Sequence, residues 1–123
     1  MRKLIVLAVL GAFVAAPAAS AKERNIALAG KPTSTSAGKA WRATVSITRD
    51  KQPDAGKAPT IRLINNAVST AGRVVNIPTR TTSSVGVYRA RVVFPSAGTW
   101  RVVVIDTMTG RAYSFGRTSV RAA

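Results

Sequence analysis

Nine residues, Trp41 to Arg49, decide most of what this chain can become. Trp41, Ala43, Val45 and Ile47 occupy one phase of a two-residue alternation, and Arg42, Thr44, Ser46 and Thr48 the other. Only an extended strand, whose side chains alternate between faces, sorts such a stretch into an apolar and a polar side. Val87–Phe94 repeats the pattern, with Tyr88, Ala90, Val92 and Phe94 inward and Arg89 and Arg91 outward. Trp100–Asp106 puts Trp100, Val102 and Val104 on one face. Its other face carries Arg101, Val103 and Ile105, so this strand is expected to be buried on both sides for part of its length.

No window after Lys22 shows a 3.6-residue period, and Val, Thr and Ile dominate over helix formers. Weaker strands are expected at Ile26–Ala29, Thr60–Asn65, Arg73–Ile77 and Ala112–Val120. In the last, Tyr113 and Phe115 share a face while Thr118 and Val120 lie in the opposite register; a bulge at Gly116 would reconcile them. Asp50–Pro59 reads as a Pro/Gly loop and Thr79–Gly86 as a Thr/Ser-rich one. Asn65-Asn66, Ala71-Gly72, Pro95–Gly98 and Thr109-Gly110 read as turns. About seven strands at short spacing, without helices, predict an all-β chain folded as an immunoglobulin-like β-sandwich, with a small barrel as the competing architecture.

The N-terminus reads as a cleavable signal peptide, residues 1–21. Arg2 and Lys3 form a positive n-region, Leu4–Val14 an apolar run, and Ala19-Ser20-Ala21 a small-residue cleavage site before Lys22. A membrane-spanning helix needs about 20 apolar residues, and this run gives way to Pro17 before that. The expected product is a secreted, extracytoplasmic protein. Residues 22–38 would form an N-terminal segment with the first strand, and residues 39–123 the sandwich domain.

Charge then narrows function. The whole chain has 19 Lys and Arg against 4 Asp and Glu, a net +15; removal of residues 1–21 takes away Arg2 and Lys3 and leaves +13. There is no Cys and no His. Disulfides, a Ser–His–Asp or Cys–His nucleophile, and any metal site built on thiolate or imidazole are therefore excluded. A calcium site would want six to eight oxygens, and Asp50, Asp54, Asp106 and Glu23 are the only carboxylates in the sequence. Their spacing favours neither calcium nor a glycosidase pair, so Asp50 and Asp54 read as solvated loop carboxylates beside Lys51 and Lys57. No S-x-x-K motif marks a Ser–Lys hydrolase. The reading is a non-enzyme without catalytic, cofactor or metal residues.

The phrase Gly86-Val-Tyr88, then Phe94-Pro95-x-x-Gly98-x-Trp100-x-Val102-x-Val104, resembles the hallmark of the YtkA-like and FixH-like exported bacterial Ig-like domains. The resemblance covers roughly residues 39–120 and implies a sandwich centred on Tyr88 and Trp100. Some similar proteins, the CopC-like ones included, handle copper through His and Met. Here His is absent, Met1 would leave with the signal, and Met108 stands in a turn, so that role does not carry over. A small-ligand or ion carrier working without those ligands remains as an alternative.

The favoured reading is a binding or accessory module of the cell envelope. Arg42, Arg89 and Arg91 share the outward phase of two strands that an immunoglobulin-like topology makes neighbours. Together they form a candidate anion-binding face for an anionic envelope polymer or a membrane surface. The aromatics fall on the inward phase, which leaves no stacking platform and argues against specific nucleic-acid binding.

Overall fold

A computed structural model describes residues 24–67 and 73–123. The signal peptide, its cleavage site and the Ala71-Gly72 turn lie outside the described residues. Ten strands are present: β1 (Arg24–Ala29), β2 (Ser34–Ser36), β3 (Ala40–Arg49), β4 (Gln52–Pro53), β5 (Thr60–Ile64), β6 (Val74–Pro78), β7 (Arg80–Thr81), β8 (Val87–Val93), β9 (Gly98–Ile105) and β10 (Ala112–Arg121). They form two five-stranded sheets. The first runs β1-β3-β8-β7 with β4 paired to the end of β3, and the second runs β2-β10-β9-β5-β6. The chain is all-β among the described residues.

The seven expected strands are β1, β3, β5, β6, β8, β9 and β10, each within about two residues of its sequence-derived bounds. The three short strands were not foreseen. β4 and β7 correct two assignments, since each lies in a stretch read as loop. Asp50 and Lys51 both take positive φ, 51° and 66°, and join Arg49 to Gln52 in a two-residue hairpin. Such turns usually announce themselves by Asn-Gly or Asp-Gly, and Asp-Lys does not. β7 is held by Thr79, whose N–H and hydroxyl both donate to the Pro59 carbonyl, at 3.3 and 2.7 Å.

The alternation places the core between the sheets. Ala43, Val45 and Ile47 of β3, Tyr88 and Val92 of β8, and Trp100, Val102 and Val104 of β9 are buried, together with Ile61 and Leu63 of β5. Trp41 departs from the expectation by being only half-buried. It stacks on Phe94 at 6.2 Å between ring centroids, and Phe94 tilts against the fully buried Trp100 at 6.1 Å. Val103, on the outer face of β9, is buried as well, as the doubly apolar strand predicts.

Two glycines carry backbone duties. The β10 register shifts between Ser114 and Arg117, with Gly116 at φ 85°, and Thr118 and Val120 are thereby turned inward. This is the expected bulge. Gly86 has φ 76°, and a Cβ there would lie 2.7 Å from the Ile47 carbonyl oxygen. Its own carbonyl accepts the Ile47 N–H at 2.8 Å, so the close approach that starts β8 has no room for a side chain.

Candidate functional site

β3 and β8 are hydrogen-bonded neighbours, and their register sets Arg42 directly opposite Arg91 and Thr44 opposite Arg89. The three arginines singled out from the sequence thus lie on one sheet face, exposed to solvent. β7 adds Arg80, directly opposite Arg89. The sequence predicts a loop there, since a two-residue strand has no periodicity. Two like-charged cross-strand pairs lie side by side, an arrangement that destabilises a sheet unless the long side chains splay or an anion lies between them. Among the described residues, the ion pairs found involve Arg24 and Arg49, not these four.

Beside this face runs an open groove of about 990 Å³. It is lined by Trp41 and Arg42 of β3, by Arg89, Ala90 and Arg91 of β8, by Ile77 and Pro78 of β6, and by Arg80 to Ser83. The Trp41 Nε1–H is buried and has no acceptor. The Trp100 Nε1–H, by contrast, donates to the Ser96 carbonyl at 2.9 Å.

The carboxylates gather at the opposite end of β3. Arg24 pairs in register with Arg49, and its side chain is 3% exposed. Its Nε lies 3.0 Å from Asp106 Oδ2, but neither atom has a hydrogen-bond partner, so this contact is Coulombic rather than a directed bond. Its Nη1 is 3.4 Å from Asp54 Oδ2 and donates to Met108 Sδ at 2.8 Å. Arg49 Nε donates to Asp54 at 3.1 Å. Asp106 Oδ1 accepts the Met108 N–H at 3.0 Å. The reading of Asp54 as a solvated loop carboxylate is therefore corrected, and Asp106 is not a simple loop-end Asp either. Both belong to one ionic cluster that the hairpin at Asp50-Lys51 and the turn after β9 bring together.

Nor is basic charge confined to the first sheet. Arg101 of β9 and Arg117 of β10 are exposed and stand directly opposite each other on the second sheet. The Arg42 face has the groove described above beside it.

Among the described residues there is no group of three or more His, Cys, Asp or Glu side chains that could hold a metal ion. A cation already stands between Asp54 and Asp106: the guanidinium of Arg24. No helix of the described residues is long and apolar enough to cross a membrane.

No protein family matches the sequence, and no curated protein does. Among solved structures, the fold is similar to a superoxide reductase (neelaredoxin) variant from Ignicoccus hospitalis, with 9% identity, a TM-score of 0.50 and 85% of each chain covered. A second variant of that protein matches at 10% identity and a TM-score of 0.47, over 89% of this chain and 86% of the other. The likeness is one of β-rich fold. Since this chain has neither His nor Cys, it offers no imidazole or thiolate for a metal.

Proposed function

We propose that this protein is an exported, non-catalytic immunoglobulin-like module of the cell envelope that binds anionic polymer or membrane surface through Arg42, Arg80, Arg89 and Arg91. The observation that carries the reading is the strand register, which sets these guanidinium groups on one face with no carboxylate among them in the described residues. Arginine suits such a partner because its planar fork gives two parallel hydrogen bonds to phosphate or carboxylate. The strand order supports the immunoglobulin-like part. The long strands β1, β3 and β8 stand in one sheet where that fold has A, B and E, with β7 in the place of D. In the other sheet, β10, β9 and β5 stand where it has G, F and C. The G-x-Y and G-x-W phrase, similar to that of YtkA-like and FixH-like domains, and the signal-like N-terminus support export.

A face whose outward side chains are arginines should bind charge density rather than sequence or sugar identity. The test is co-sedimentation with anionic vesicles and with purified anionic wall polymer across a salt series. Screening shortens from about 10 Å at 0.1 M to about 3 Å at 1 M, so binding should collapse over that range. The Arg42/Arg89/Arg91→Gln variant should lose binding, while Arg101/Arg117→Gln, which removes charge from the opposite sheet, should retain most of it. Equal losses in both variants would mean diffuse charge and no dedicated face.

A further inference from the structure

The groove beside the arginine face has a feature that a face for charge density does not need. β7 pairs with β8 at only two positions, Arg80 with Arg89 and Thr81 with Tyr88. Beyond them, Ala90 to Val93 have no strand on that side among the described residues, although β3 pairs with them on the other. Of these four residues, about 13 Å of strand, Arg91 and Val93 turn their N–H and C=O groups away from β3, because the Ile47 N–H bond to the Gly86 carbonyl sets Tyr88, Ala90 and Val92 as the residues facing it. The groove is lined by Arg89, Ala90 and Arg91 and, from the second sheet's edge strand, by Ile77 and Pro78. Its volume of about 990 Å³ lies at the upper end of natural ligand clefts, about 300–1,000 Å³.

We infer that this groove takes an extended acidic peptide segment of a partner protein, which adds as a strand to the free edge of β8 from Ala90 to Val93. The inference goes beyond the anionic-surface reading, because it uses the strand edge, to which a sugar or phosphate polymer cannot add as a strand. The pleat dictates the sequence such a segment should have. A residue set opposite Arg91 projects to the outer face, among Arg42, Arg89 and Arg91, and should be Asp or Glu. Its neighbour opposite Ala90 projects toward the groove that Trp41 and Ile77 also line and should be apolar, and the residue opposite Val92, in the same phase, should be apolar as well. The recognised pattern is therefore acid–apolar alternation over about four to six residues. Strand addition of this kind draws affinity from main-chain hydrogen bonds and specificity from alternate side chains. Trp41 lines the groove, so its ring is the apolar surface that the segment's apolar residues would meet. A second copy of this chain is disfavoured by charge, since pairing two such edges would bring Arg89 and Arg91 against their own kind.

The test uses the purified protein and synthetic octapeptides of alternating Asp and Val. One form is unmodified. Two others are N-methylated at alternate residues, one in each phase, so that each removes the donors on one side of the peptide strand. The expected result is salt-sensitive binding of the unmodified peptide and of one methylated form, with at least tenfold weaker binding of the other. Amide exchange of the outward-facing residues among Ala90–Val93 should slow at least tenfold on binding. Trp41→Phe should weaken the peptide several-fold and leave binding to anionic vesicles unchanged. Equal binding of both methylated forms, an octa-Asp peptide binding as well as the alternating one, or unchanged exchange at Ala90–Val93 would each overturn strand addition. Slow exchange there without peptide, together with a dimer in sedimentation, would assign the edge to a second copy and overturn it equally. None of these outcomes bears on vesicle or polymer binding, so the two readings fail separately.

Discussion

The two ends of β3 handle charge in opposite ways. At the Arg49 end, Arg24 is buried and its guanidinium is shared between Asp54 and Asp106. At the Arg42 end, roughly 23 Å away at 3.3 Å per residue, guanidinium groups stand exposed over a core of aromatic rings, Trp41, Phe94 and Trp100. All three described carboxylates, Asp50, Asp54 and Asp106, belong to the first end. The comparison separates two uses of one residue type. A buried Arg must be matched by carboxylates because an unpaired charge in the interior is costly. An exposed one is free to serve a partner. Net charge alone would not tell these apart, whereas position along β3 does.

The largest effect should come from the aromatic end. Trp100 is fully buried, tilts against Phe94 and donates to Ser96. Trp100→Ala should cost about 3–5 kcal/mol, by analogy with other large-to-small core substitutions. Denaturant unfolding measures it; a loss under about 1 kcal/mol would mean that this end is held by something other than its rings.

The ionic end should come next. Asp106→Ala leaves Arg24 with Asp54 as its only carboxylate among the described residues and removes the acceptor for the Met108 N–H. Breaking a buried pair in this way typically costs about 3–5 kcal/mol, and about 3 is expected here because Asp54 remains. The sharper experiment replaces both partners, Arg24→Met with Asp106→Leu. If the cluster is tolerated rather than needed, the double variant should recover most of that loss. If it does not recover, the cluster also fixes the geometry of the turn after β9, and the two ends differ in kind as well as in size.

How much of this contrast could be read from the sequence depends on whether its cause was local. The arginine face was legible because strand parity is local: Arg42, Arg89 and Arg91 alternate against apolar neighbours, and one topological assumption placed the two strands together. The bulge at Gly116 was legible for the same reason, since a parity break beside a glycine has few other solutions. Arg80 was not, because a two-residue strand has no period to detect. The ionic cluster was hidden more deeply. Its members come from β1, the segment after β4 and the turn after β9, and nothing near Arg24 in sequence says that its side chain turns inward. The Asp50-Lys51 hairpin that helps set Asp54 in place uses positive φ at two residues that seldom adopt it. The phase of Trp41 predicts full core; it is half-buried instead because it lines the groove, which phase does not reveal.

The two tryptophans refine the comparison at a smaller scale. Both rings touch Phe94, but only the Trp100 Nε1–H has an acceptor. Trp100→Phe forfeits a hydrogen bond and ring volume together, and leaves the Ser96 carbonyl without that donor. A loss of about 2 kcal/mol is expected. Trp41→Phe removes a donor that was buried without a partner, which offsets the lost ring contacts, and should cost under about 1 kcal/mol. Equal losses would show that the Trp41 indole is satisfied by ordered water.

The smallest effect should have the opposite sign. Arg42 and Arg91 are directly opposed, and like charges in that position destabilise a strand pair. Arg42→Thr removes the repulsion and places a β-branched residue on a strand that favours it. Stability should therefore rise by a few tenths of a kcal/mol, and the gain should shrink as salt is added, because the repulsion is solvent-exposed and screened. The same substitution at Arg49 should go the other way, since that guanidinium donates to Asp54. The measurement is a pair of denaturant midpoints for each variant at 0.05 M and 1 M salt. A stabilised Arg42→Thr beside a destabilised Arg49→Thr, with both differences reduced at high salt, is what two ends of one strand with opposite charge economies require. If Arg42→Thr instead destabilises the protein, Arg42 has an anionic contact outside the described residues, and the exposed end is not free to bind.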